Sequence, residues 1–174
     1  MKLKIFLVTA VCTVAALAIV AGICLYHYIG IPKSVGEKEY KYRTEKISVE
    51  YNGISLYGKA LVPVGESGQK FKTVIYAHGA NSNYKSDMTT LKSLAESGIA
   101  CYTFDFYGWT SRSTGPKGTE WFKGTDMRDN DAYVNKVLLQ SEDLNAVIEK
   151  VKTFDFVDTD NIFLLGSSMG GVTV

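Results

Sequence analysis

A serine framed by glycines, Gly166-Ser167-Ser168-Met169-Gly170-Gly171, follows the apolar run Ile162-Phe163-Leu164-Leu165 near the end of a 174-residue chain. The pattern G-x-S-x-G suits a sharp turn from a buried strand into a helix, because the flanking positions must lack a Cβ where the two elements crowd. Its register selects Ser168, with Gly166 and Gly170 on either side; Ser167 would need a glycine where Leu165 stands. The four apolar residues before the turn read as a central parallel strand buried on both faces.

Upstream, the pattern supports the same architecture. Ile47 to Tyr51 alternates, Asn52-Gly53 is a hairpin turn, and Ile54 to Val62 alternates again, so an antiparallel ribbon is expected to open the folded part. Thr73 to Ala77 is a short apolar strand ending in His78-Gly79-Ala80-Asn81. Met88, Leu91, Leu94 and Ala95 recur at helical spacing, with Gly98 placed as a C-cap, and Ile99 to Phe106 is a further buried strand. After a Gly/Ser/Thr-rich loop from Tyr107 to Lys123, a long helix is expected whose buried face holds Val134, Val137, Leu138, Leu144, Val147, Ile148 and Val151. Strands alternating with helices imply a parallel sheet with crossover helices, preceded by an antiparallel edge pair.

The N-terminus is of a different kind. Ile5 to Leu25 is apolar throughout apart from threonines and small residues, and about 21 residues at about 1.5 Å each span a bilayer core of about 30 Å. Residues 1–29 therefore read as a transmembrane signal-anchor, 30–45 as a tether, and 46–174 as the folded domain. A cleaved signal peptide is the alternative, since Lys2 and Lys4 make a basic start, but Ala16-Leu17-Ala18 lies inside the apolar run rather than after it. The short flank before the run places the folded part outside the cytoplasm, although Lys33, Lys38, Lys41, Arg43 and Lys46 blunt the charge rule. A net charge of +1 gives no reason to expect nucleic acid as a partner. Cys12, Cys24 and Cys101 have neither metal-ligand nor disulfide spacing and read as packing.

A serine hydroxyl is a weak nucleophile, so acyl transfer needs a base and fixed donors for the developing oxyanion. Ser168 is the candidate nucleophile; the N–H of Met169, at the helix start, and that of Ala80, in the loop after the earlier strand, are the candidate oxyanion donors. His78 precedes the serine, against the order Ser, acid, His, and is expected to stabilise a turn; His27 belongs to the membrane segment. Asp105 is expected to brace the loop after its strand, Arg112 and Ser113 to be solvated, and Asp143, Glu149 and Lys150 to form the wet face of the long helix.

The stretches Tyr76-Ala77-His78-Gly79, Phe104-Asp105-Phe106-Tyr107-Gly108 and Gly166 to Gly171 resemble the α/β-hydrolase superfamily, and within it bacterial cinnamoyl or feruloyl esterases and the serine aminopeptidase and monoacylglycerol lipase group. That resemblance covers about Lys46 to Val174 and makes the folded part an N-terminal half of an α/β-hydrolase domain. It implies a serine-dependent hydrolase of carboxylic esters working through an acyl-serine, on a small-molecule ester or short peptide, with no cofactor or metal. A peptidase or lipase on the same scaffold, or a tethered scaffold protein without catalysis, are the alternatives. The acid, the histidine and the cap would all lie past Val174, so the printed chain is expected to be inactive by itself. Two departures stand out: Ala80 where many relatives carry an aromatic residue, and Trp109-Thr110-Ser111 where they carry a second glycine, a change expected to alter a loop near the site mouth.

Overall fold

The computed structural model describes residues 39–123 and 128–174. The expected membrane segment lies outside the described residues, among which no helix is long and apolar enough to cross a membrane. Among the described residues, seven strands and three helices follow in chain order: β1 (Tyr42–Lys46), β2 (Val49–Tyr51), β3 (Ile54–Leu56), β4 (Gly58–Pro63), β5 (Phe71–Ala77), α1 (Met88–Glu96), β6 (Ala100–Phe104), α2 (Asn130–Val151), β7 (Val157–Gly166) and α3 (Met169–Thr173).

The hairpin forms as expected but not as an edge of the main sheet. Asn52 and Gly53 both take positive φ, 45° and 76°, which only such residues adopt cheaply, and they close β2 onto β3 as a separate two-stranded ribbon. The alternating run from Ile54 to Val62 breaks at Tyr57. Its second half, β4, joins the five-stranded sheet β1-β4-β6-β5-β7, antiparallel to β1 and β6, while β5 lies parallel to both β6 and β7. Residues 42–45, expected in the tether, are in β1; their short polar alternation gave no sign of a strand until β4 supplied a partner.

Two apolar layers hold the sheet. On one face Leu61, Tyr76 and Cys101 pack with Leu91 and Ala95 of α1. Gly98, at φ 85°, ends that helix as expected, with the Ile99 N–H returning to the Leu94 carbonyl at 3.0 Å. On the other face Leu144, Val147 and Val151 of α2 pack against Ile75, Tyr102, Phe104 and Val157.

The first half of α2 is rotated from the expected face. Val134 and Leu138 are 53% and 59% exposed, whereas Lys136, Gln140 and Asp143 are buried. Lys136 is drawn inward because its ammonium donates to the Phe122 carbonyl at 3.2 Å and lies 4.8 Å from the Trp109 ring centroid. Asp143 is not on a wet face. Its carboxylate accepts from the Tyr51 hydroxyl of the ribbon and, at 2.8 Å, from the Tyr107 N–H beyond β6, so it ties both to α2. Glu149 and Lys150 are exposed as expected.

The run Phe163-Leu164-Leu165 is also less covered than expected: Phe163 is 51% exposed. Among the described residues β7 pairs on one side only, with β5, and α3 shields only part of it.

Burial pushes the Asp143 carboxyl up from 3.8 to about 7, against the two hydrogen bonds, which favour its ionised form. The folded state thus keeps a proton that the unfolded chain has released, and stability contributed by this group falls as pH rises from about 4 to about 7. Urea unfolding of the parent and of Asp143→Asn across that window is expected to show the parent losing stability relative to the variant as pH rises. Parallel curves would reject the assignment.

Candidate active site

The strand order places a reversal between β5 and β7: from β5 the chain crosses through α1 to β6 on one side, and from β6 through α2 to β7 on the other. A crevice outside the carboxyl ends of two such strands is where parallel sheets hold ligands. Both sequence-selected loops leave from these ends, His78-Gly79-Ala80 after β5 and Gly166-Ser167-Ser168 after β7.

Ser168 sits at φ 52° and ψ −123°, a backbone region that non-glycine residues avoid at a cost of about 1–3 kcal/mol. Close packing imposes it. A Cβ on Gly166 would lie 2.3 Å from the Gly170 carbonyl oxygen, and one on Gly170 would lie 2.2 Å from that of Ala77. The turn is stitched by the Ser167 N–H to the Ala77 carbonyl at 3.1 Å and the Gly171 N–H to the Ser168 carbonyl at 2.8 Å. Ser168 is left exposed, while Met169 turns its side chain into the core.

The structure brings the two loops together. A Cβ on Gly79 would meet the Ser168 Cβ at 3.1 Å and its Oγ at 3.6 Å, so the backbone leading to Ala80 abuts the serine. Met169 is the first residue of α3, where an N–H has no acceptor within the helix. The Ala80 N–H makes no backbone hydrogen bond among the described residues. Met169 follows Ser168 directly in the chain, and Ala80 follows the Gly79 that abuts the serine.

His78 is buried, as a turn-stabilising residue should be. Its Nδ1 donates to the Gly79 carbonyl at 2.7 Å and its Nε2 accepts from the Phe106 N–H at 3.2 Å, leaving neither nitrogen for proton transfer. Burial lowers its pKa, partly offset by the Gly79 bond, so the ring is neutral in this role.

Asp105 braces its loop as expected. The buried carboxylate accepts from the Tyr84 N–H at 2.7 Å, the Thr110 hydroxyl at 2.9 Å and Arg112 Nε at 2.5 Å. Arg112 and Ser113 are not simply solvated: Arg112 closes that ion pair, and the buried Ser113 hydroxyl donates to the Asp105 carbonyl at 2.6 Å while accepting from the Tyr57 N–H. Trp109, expected to alter the site mouth, is buried against Phe122 at 5.4 Å between centroids.

Sequence reasoning missed Tyr51, Tyr107 and Asp143 as a group. Lys136, Gln140, Asp143, Val147 and Val151 do share one helical stripe, but a search for apolar residues alone passes over its first half. Among the described residues no cluster of three or more His, Cys, Asp or Glu side chains is placed to hold a metal.

A mixed sheet whose parallel strands carry a strained serine turn at their switch point has the form of an α/β hydrolase. Residues 68–174 match the family model described as serine aminopeptidase, S33, and the chain belongs to that family. The structure resembles dienelactone hydrolase from Anabaena variabilis (TM-score 0.56, 19% identity, covering 77% of this chain and 56% of that one). It also resembles Est1E from Butyrivibrio proteoclasticus (0.51, 20%, covering 74% and 42%) and epoxide hydrolase I from potato, Solanum tuberosum (0.50, 18%, covering 75% and 34%). The chain thus spans little more than half the length of the first of these and less of the other two. No curated protein matches it significantly.

Gly170→Ala is expected to lower unfolding free energy by about 3 kcal/mol or more, since its Cβ would strike backbone that cannot move aside. Gly171→Ala, whose Cβ would come no nearer than 3.3 Å to another atom, is the control and is expected to stay within about 1 kcal/mol of the parent. Equal effects in urea titrations would mean that the turn is not packed as described.

Proposed function

We propose that Ser168 is the nucleophile of a hydrolase that cleaves carboxylic esters through an acyl-serine, with the Met169 and Ala80 N–H groups holding the oxyanion. The observation that carries this reading is the strained, exposed backbone of Ser168 pressed against Gly79. Strain of this kind persists only where surrounding packing over-determines it, and it aims a hydroxyl out of a turn that a glycine would otherwise occupy.

The base must come from elsewhere in the intact protein, because both nitrogens of His78 are engaged. A downstream acid followed by a histidine is the arrangement that order of chain predicts. Small-molecule esters are the favoured substrates, and the small side chain of Ala80 leaves room beside the scissile carbonyl. A second reading, cleavage of a short aminoacyl amide, is favoured by the family description of residues 68–174. We also propose that residues 1–29 anchor the protein in a membrane with the hydrolase domain extracytoplasmic, secretion after cleavage being the alternative; extraction of the full-length protein by alkaline carbonate without detergent would argue against the anchor.

The full-length gene product is expected to be labelled by a fluorophosphonate and to lose the label in Ser168→Ala, with turnover falling by up to about a millionfold. Labelling that survives the substitution would remove Ser168 from the role, and no labelling of the parent would favour a scaffold without catalysis. The ratio of kcat/KM for aryl esters, acylglycerols and aminoacyl amides decides between esterase, lipase and peptidase.

A further inference from the structure

A small cavity, whose lining does not include Ser168, lies between the β2–β3 ribbon, the segment after β6 and the middle of α2. Its volume is about 140 Å³. That is room for roughly four or five waters at about 30 Å³ each, and well below the roughly 300 Å³ of a pocket for a drug-sized molecule, so it suits one small head group. Tyr51, Tyr107 and Trp121 supply aromatic walls, and Asp143 and Glu142 supply carboxylates from one side.

A cation already sits on one of those walls. The Lys117 ammonium lies 4.4 Å from the Trp121 ring centroid, and the backbone of Lys117 is pinned by its N–H donating to the Tyr107 hydroxyl at 2.5 Å. The Asp143 carboxylate accepts two hydrogen bonds, from Tyr51 and Tyr107, which fixes its position but leaves lone pairs of its roughly four unused. Ring faces and carboxylates together attract positive charge, and the apolar walls strip its water. A hard metal ion, which needs about six oxygen ligands, has too few here.

We propose that this cavity is a binding site for a small organic ammonium group, alkylated enough to prefer ring faces to water, for which the Lys117 side chain is a tethered competitor. The proposal does not depend on the role of Ser168. The charge balance of the site is set by Asp143 and Glu142 from α2, Tyr51 from the ribbon, and Tyr107 and Lys117 from the segment after β6. Because burial holds the Asp143 carboxyl near 7, a bound cation favours its ionised form, and binding is coupled to release of that proton.

Isothermal titration of the full chain with choline tests it, with the neutral isostere carrying a tert-butyl group in place of trimethylammonium as the control. Saturable choline binding is expected, weaker by about tenfold or more at about pH 5 than at about pH 8, with the neutral isostere binding much more weakly. Lys117→Ala is expected to tighten choline binding several-fold and Asp143→Asn to weaken it at least about tenfold. Absence of saturable binding, equal affinity for the isostere, or a Lys117→Ala variant that binds no more tightly would overturn the proposal. If circular dichroism shows that Asp143→Asn has not folded, the lysine variant and the pH comparison decide by themselves.

Discussion

The contact on which this molecule turns is between two pieces of backbone. Gly170 approaches the end of β5 so closely that an added Cβ would lie 2.2 Å from the Ala77 carbonyl oxygen. Because β5 and β7 are in register from Thr73 with Ile162 to Ala77 with Gly166, the sheet delivers the two loop origins side by side. The glycines then let the chain fold back over the strand end, which a side chain at either position would prevent. Everything proposed about Ser168 follows from that approach: its backbone angles, its exposure and its neighbour Gly79.

Beyond the carboxyl end of β6, the chain is held by two buried aspartates with opposite environments. Asp105 is met by an arginine, a hydroxyl and a backbone N–H, so its negative charge is matched where it stands. Asp143 is met only by neutral donors, and burial raises its pKa. A matched charge acts as a rigid rivet between the turn at Tyr84 and the loop after β6 that carries Thr110 and Arg112. Among the described residues Asp143 has no such ion pair, and Tyr51, Tyr107 and Trp121 stand around the same cavity.

How much of this was readable beforehand depended on whether a residue's role was local. The elbow, the hairpin at Asn52-Gly53, the helix stop at Gly98 and the bracing role of Asp105 were legible, since backbone sterics and short-range bonds decide them. The strand β1 was not, because five mostly polar residues become a strand only when β4 lies beside them. The rotation of α2 was hidden for a related reason: Lys136 and Asp143 turn inward to meet Phe122, Tyr51 and Tyr107, which are distant in sequence.

The unfavourable backbone angles at Ser168 also bear on how such a domain responds to selection in the laboratory. A library screened for heat resistance alone should enrich glycine at this position, since relaxing the turn returns roughly the conformational cost that the serine imposes. The variants most tolerant of heat would then be the ones stripped of their hydroxyl, so thermal robustness and chemical competence pull this one residue in opposite directions.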